Sequence, residues 1–174
     1  MAIRFLALVL LFPTALLADV WISDSNGSFG FEATFEGDPL PGDFTDFNVS
    51  WSDEALTVTV NLAGSDMGDG EMNAILHDPT WLAVEQFATA VFSAAKVSCD
   101  DSACLASGEL ELKGAKQAID VPFTWAEDGD SATMRGELSL DRTGFDVGSG
   151  EWASGDSIGV DVELRFDINL KRTP

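Results

Sequence analysis

The sequence predicts an all-β fold, an elongated antiparallel barrel of about eight strands with one short helical insertion. Three observations carry the prediction. Apolar and polar residues alternate along almost the whole chain, turn-forming clusters separate the alternating runs, and one run, "IGVDVELRFDINL" at residues 158–170, is unusually long. In that run Ile158, Val160, Val162, Leu164, Phe166, Ile168 and Leu170 share one face, because successive side chains of a strand point to opposite sides. Its 13 residues would rise about 43 Å, longer than usual sandwich strands, and at the roughly 40° tilt typical of barrels they still span about 30 Å. Such a face suits the wall of a deep barrel better than one layer of a sandwich.

The first 18 residues stand apart from this pattern. Arg4 precedes the apolar run Phe5 to Phe12, and Pro13 and Thr14 lead into "ALLA", ending at Ala18. This is the form of a signal peptide, and the unbroken apolar stretch is far short of the roughly 20 residues a spanning helix needs. No Cys lies near the junction to take a lipid. The expectation is an exported, soluble mature chain over residues 19–174, long enough for one domain with a sizeable core.

The strands follow in order. In "FGFEATF" the apolar side is Phe29, Phe31, Ala33 and Phe35; in "FNVSW" it is Phe47, Val49 and Trp51; in "LTVTVNL" it is Leu56, Val58, Val60 and Leu62. After a gap the pattern resumes in "ATAVFSAAKV", "LASGELELKG", "AIDVPFTW" with Ile119, Val121, Phe123 and Trp125, and "GELSLDR" with Leu138 and Leu140. Clusters such as "EGDPLPGD", "AEDGDS" and "GSGEWASGD" read as turns between them. The exception is "GDGEMNAILHDPTWLAVEQF". There Asp69 can cap a helix start, Met72, Ile75 and Leu76 follow at helical spacing, and Pro79 can open a second short turn. A membrane barrel would alternate with the same period. However, Asp, Glu and Arg at this density inside would need a wide pore, which about eight strands cannot enclose.

Charge and cysteine content narrow the function. Removing the leader removes Arg4, so 30 acidic residues face 9 − 1 = 8 basic ones and the net charge goes from −21 to −22. Nucleic acid is excluded as a partner, since binding phosphates needs Lys and Arg to displace counterions, and anionic membrane surfaces should repel the chain. Cys99 and Cys104 are the 2 cysteines and bracket "DDSA" between two predicted strands. In an oxidising compartment a bridge there would pin a hairpin and contribute about 2 kcal/mol. A metal would need more ligands than this pair offers.

No HExxH or Gly-rich phosphate loop is present. His77, the 1 histidine, lies in the helical stretch without announced partners, so a surface or capping role is expected rather than catalysis. Asp66, Asp69 and Glu71 are weak calcium candidates. "NGS" at Asn26 and "NVS" at Asn48 match the glycosylation pattern.

The stretch "LDRTGFDVGSGEW", residues 140–152, resembles the segment before the final strand of the YceI-like, polyisoprenoid-binding periplasmic family, where Leu, Arg and Phe recur at the spacing of Leu140, Arg142 and Phe145. Gly42, Phe44 and Phe47 in "PGDFTDF" are similar to the family's early Gly-x-Phe-x-x-Phe. "NAILHDPTWL", "ATAVFSAAKV" and "GELELKGAKQAIDVPFTW" resemble, in family order, its helix and the paired strands that follow. "GEWASGDSIG" is similar to members encoded beside, or fused to, membrane cytochromes of the b561 type. The resemblance covers essentially the whole mature chain. The family's Arg-rich run before the helix reads "GSDMGDGEMN" here, and its Pro after the helix is replaced near "VEQFATA".

The resemblance implies a lipocalin-like barrel in the periplasm that holds a long isoprenoid chain, a polyprenyl lipid or a quinone tail, in its lumen. It implies no enzymatic activity and no required cofactor, and it raises a membrane cytochrome as a partner. Oligomeric state stays open, a homodimer included. Ten Phe remain after the leader, with 5 Trp and no Tyr, which brings large apolar area with few hydrogen-bonding groups. Alone this composition suits an ordinary aromatic core, and the resemblance turns it toward a lined lumen. The candidate lining residues are Phe31, Phe35, Phe47, Trp51, Trp81, Phe92, Phe123, Trp125, Phe145, Trp152 and Phe166. Arg142 could hold a polar head group at the mouth or pair with a carboxylate such as Asp141 or Asp146.

Overall fold

The computed structural model describes residues 19–53 and 55–173, so the leader expected over residues 1–18 lies outside the described residues. The elements in chain order are β1 (Val20–Phe35), β2 (Asp38–Phe44), β3 (Phe47–Trp51), β4 (Leu56–Asn61), β5 (Ser65–Asp66), α1 (Gly70–His77), β6 (Thr89–Asp100), β7 (Ala103–Leu112), β8 (Ala115–Asp128), β9 (Ser131–Asp141) and β10 (Asp161–Thr173). Eight of the strands form a ring in the order β10-β9-β8-β7-β6-β4-β3-β1, closed by the pairing of β1 with β10. Every pairing is antiparallel. The alternating runs of the sequence are these ring strands, and closure pairs every ring strand on both sides over at least part of its length.

Three stretches differ from the sequence reading. β1 begins at Val20, not Phe29, because "SDSNGS" is absorbed as a bulge rather than a turn. The register against β10 shifts between Ser23 and Gly27. The Asn26 N–H donates to Asp24 Oδ1 at 2.8 Å, and Asn169 Nδ2 donates to the Asn26 carbonyl. "EGDPLPGD" is mostly strand β2, a rib laid along the upper half of β1, with Pro39 opposite Thr34 and Pro41 opposite Glu32. Apart from Asp43 and Phe44, which pair with β5, its outer edge is unpaired, so the missing proline N–H groups cost no ladder bond there. The final strand starts at Asp161, and Ile158 and Val160 belong to the preceding loop.

The helical insertion is short for a local reason. Asp69 accepts from the Glu71 and Met72 N–H groups at 2.9 and 3.0 Å and starts α1. Asp78 ends it and collects the Thr80 and Trp81 N–H groups at 2.7 and 3.2 Å, so the chain turns again at Pro79. Cys99 and Cys104 face each other across the β6–β7 hairpin and are bonded, with a Cα separation of 4.0 Å. The buried apolar residues form two clusters. One, around Trp21, Leu56, Phe123, Met134 and Leu170, fills the barrel at the Cys99–Cys104 end. The other, around Val60, Leu62, Leu82, Phe145 and Val147, joins the opposite end to α1 and the loops above it.

Candidate functional site

The lumen is closed at one end by tryptophan. Trp51 on β3 and Trp125 on β8 stand on strands four places apart in the ring of eight, yet their rings meet edge-on with centroids 4.6 Å apart. Trp21 on β1 meets Trp125 at 5.2 Å, and Phe123 meets Trp51 at 5.8 Å. Rings that touch from opposite walls leave no bore between them. The guanidinium of Arg172 covers the outer face of this plug, 4.6 Å from the Trp21 ring centre, and Glu127 accepts from Trp125 Nε1 at 2.7 Å and from Arg172 at 3.1 Å. The polar edge of a half-buried indole is thereby satisfied.

Above the plug the lumen holds a cavity of about 80 Å³. Its walls come from seven of the eight ring strands: Phe29 of β1, Leu56, Val58 and Val60 of β4, Ala90 and Phe92 of β6, Leu110 of β7, Ile119, Val121 and Phe123 of β8, Met134, Leu138 and Leu140 of β9, and Leu164, Phe166 and Ile168 of β10. Every one of these side chains is apolar. Ile119, Val121, Leu138, Leu140 and Leu164 are only half-buried although they point inward. Phe29, Val58, Leu110 and Phe166 are half-buried as well, so the cavity is not sealed from solvent.

The opposite end is roofed by the loop between β9 and β10, and Arg142 organises that roof. It is 4% exposed. Its Nε donates to the Gly159 carbonyl at 2.8 Å, Nη1 to those of Val147 and Gly148 at 2.8 and 3.1 Å, and Nη2 to those of Trp152 and Ile158 at 2.6 and 2.7 Å. These five bonds employ every N–H of the guanidinium. Burial pulls its pKa down from the usual arginine value, and neighbouring Asp141 opposes that shift. Trp81 lies against the guanidinium, 5.3 Å from ring centre to Cζ, and Trp152 tilts against Trp81 at 6.0 Å. Phe145, 1% exposed, fills the space beneath.

A family model described as the YceI-like domain matches residues 21–170. The chain belongs to the YceI-like family. Solved structures share the fold. BcnA of Burkholderia cenocepacia superposes with a TM-score of 0.76 at 22% identity, covering 84% of this chain and 98% of that one. A polyisoprenoid binding domain from Saccharophagus degradans, implicated in plant cell wall breakdown, gives 0.75 at 12% identity, over 88% and 98% of the two chains. The Campylobacter jejuni YceI protein gives 0.65 at 14% identity, over 78% and 86%. No curated protein matches the chain.

Within this YceI-like barrel the residues singled out from sequence separate into groups. Phe92, Phe123 and Phe166 line the cavity. Trp51 and Trp125 form the plug, and Phe47 packs in the wall against Phe29 at 5.7 Å. Trp81, Phe145 and Trp152 belong to the roof. Phe31 lies on Phe44 at 4.9 Å, in the β1–β2 rib, and Phe35, 44% exposed, sits at the end of β1 outside the lumen. Arg142 neither holds out donors for a head group nor pairs with a carboxylate, and both expectations are corrected by its five carbonyl partners.

His77 Nε2 lies 3.0 Å from the Ser65 carbonyl oxygen and ties α1 to β5. Asp66 accepts from the Gly68 N–H and Asn73 Nδ2, each at 2.8 Å, and these bonds lower its pKa. No group of three or more His, Cys, Asp or Glu able to hold a metal is present among the described residues. Most of the lining was missed by a search for aromatics. Leu56, Val58, Val60, Ile119, Val121, Leu138, Leu140 and Leu164 are aliphatic, and their signal was the alternation itself, which puts them on the same faces as the rings.

Proposed function

We propose that this protein binds and carries one long isoprenoid chain, a polyprenyl lipid or a quinone tail, in the upper lumen, and does so in the periplasm. The observation that carries the reading is the cavity, walled on seven strands by apolar side chains alone and placed between a tryptophan plug and a roof. A lumen that offers no titratable side chain suits binding, not turnover. The name of the Saccharophagus degradans relative, a polyisoprenoid binding domain, supports the choice of guest, as does membership of the YceI-like family.

Enclosing an apolar chain is favoured over leaving it in water by about 0.8 kcal/mol per methylene. A bilayer gives the same shelter, so transfer from membrane to barrel is close to neutral and the protein works as a carrier rather than a sink. A cavity of about 80 Å³ is small beside the roughly 300 to 1,000 Å³ of formed ligand sites. The guest therefore has to part side chains as it enters, and the half-buried lining residues, Leu138, Leu140 and Leu164 among them, are the least enclosed. Lipid extraction and native mass spectrometry of the protein purified from a bacterial periplasm test the reading. An isoprenoid bound mole for mole is expected. Lipid-free protein that also takes up no fluorescent polyprenol would overturn it.

A further inference from the structure

We propose that the guest enters and leaves the lumen sideways, through a seam between β8 and β9, and not through either end of the barrel. The inference rests on the carrier reading above and specifies its route. β8 and β9 pair only from Thr124 opposite Arg135 to Asp128 opposite Ser131, at the plugged end. Above that point, among the described residues, 115–123 of β8 are ladder-paired only with β7, and 136–141 of β9 only with β10. The neighbouring β7–β8 and β9–β10 ladders continue through this height.

The seam has a foot, two lips and a latch. At its foot Gly136 admits close approach, since a Cβ there would collide with the Pro122 carbonyl and the Phe166 ring. Carrying the β8–β9 register upward sets Val121 opposite Leu138 and Ile119 opposite Leu140. All four line the cavity and all four are half-buried. At the top Gln117 Nε2 donates to the Gly144 carbonyl at 2.6 Å, one side-chain bond in place of a ladder. From Pro122 to Gln117 the slot is about 17 Å long at roughly 3.3 Å per residue.

Other routes are obstructed: the β1–β3 boundary, paired only at Trp21–Trp51 and Ile22–Ser50, is bridged farther up by the ring of Phe29 on that of Phe47. The lower end is filled by indoles that touch across the axis, and the roof is tied by Arg142 to five carbonyls. Parting any fully paired strands would break a row of backbone hydrogen bonds, whereas parting the lips breaks the Gln117 latch. The strand edges along the seam carry exposed residues on their outer face, Asp120, Pro122, Glu137 and Ser139 among them, so water can serve the backbone groups that lack a strand partner. A long flexible chain can slide through such a slot segment by segment.

The test places one cysteine on β8 and a second on the strand to one side of it. Asp120→Cys with Ser139→Cys spans the seam, while Asp120→Cys with Ser107→Cys spans the paired β7–β8 boundary. Each pair is bridged with a short bis-maleimide, the native disulfide left oxidised, and compared with the same protein capped by a mono-maleimide. The readout is the rate of transfer of a fluorescent polyprenol from phosphatidylcholine vesicles. The seam bridge is expected to slow transfer at least tenfold and the β7–β8 bridge to leave it unchanged. Unchanged transfer with the seam bridged, or equal slowing by both bridges, would overturn the seam. Absence of uptake by the unbridged protein would instead overturn the carrier reading, and the route with it. Should the first seam pair not fold, Pro122→Cys with Glu137→Cys closes the same slot.

Discussion

At the disulfide end of the barrel, Trp21, Trp51 and Trp125 meet across the axis and β8 is hydrogen-bonded to β9. Farther up the same strands, the inward positions carry Ile119, Val121, Leu138 and Leu140, the axis is open, and the β8–β9 ladder has stopped. Both halves obey one alternation of apolar and polar residues, and they differ in the size of what points inward. Indoles are large enough to bridge the bore and hold opposite walls in register. Branched aliphatics reach only part of the way, so the wall that lacks a ladder has nothing across the axis to hold it shut. A carrier needs both conditions, a rigid base and a wall that yields.

Removing the base should have the largest effect. Trp125→Ala deletes the ring that touches both other indoles and is expected to cost about 3 to 5 kcal/mol, read as a lower urea midpoint. An unmoved midpoint would dissolve the contrast between the halves. Arg142→Lys attacks the roof. An ammonium has three N–H donors for five carbonyls, and the buried acceptors left over should cost about 2 to 3 kcal/mol, visible as a fall in melting temperature by calorimetry.

Replacing both Cys99 and Cys104 by Ser opens a hairpin already held by strand pairing. The loop-entropy model expects a loss of about 2 kcal/mol, with polyprenol uptake unchanged because the bridge lies at the plugged end. The smallest change in energy should be the most informative about function. Leu164→Phe fills the cavity from β10, at a position paired on both sides, with Phe31 of β1 and Leu138 of β9. It should leave the urea midpoint nearly in place while weakening polyprenol binding about tenfold, or about 1.4 kcal/mol. Equal binding by this variant would place the guest elsewhere.

The ring strands were legible because each announces its inward face locally, as "LTVTVNL" does with Leu56, Val58 and Val60. The lower half of β1 was not, since "SDSNGS" has the composition of a turn and becomes a bulge only when β10 supplies Asn169 beside it. β2 was hidden by Pro39 and Pro41, residues that break a central strand but sit without cost along an unpaired edge. Arg142 was misread because its partners are main-chain carbonyls of a loop folded back on it, and carbonyls carry no residue-type signal. The aromatic search found the plug and the roof more readily than the cavity, since rings fill space and a cavity is where they are absent.

What the sequence determined alone is local geometry: which side of each strand is apolar, where Asp69 starts a helix, and which two cysteines share a hairpin. These follow from a side-chain period of two and from contacts between near neighbours in the chain. What only the tertiary structure decided is how far each pair of strands stays joined and which inward residues meet across the axis. Val121 and Leu138 alternate as faithfully as Trp125 and Met134, yet the second pair lies in a ladder and the first lines a seam. That difference arises because closure of the ring brings opposite walls together, and side-chain volume across the bore then settles where they can touch.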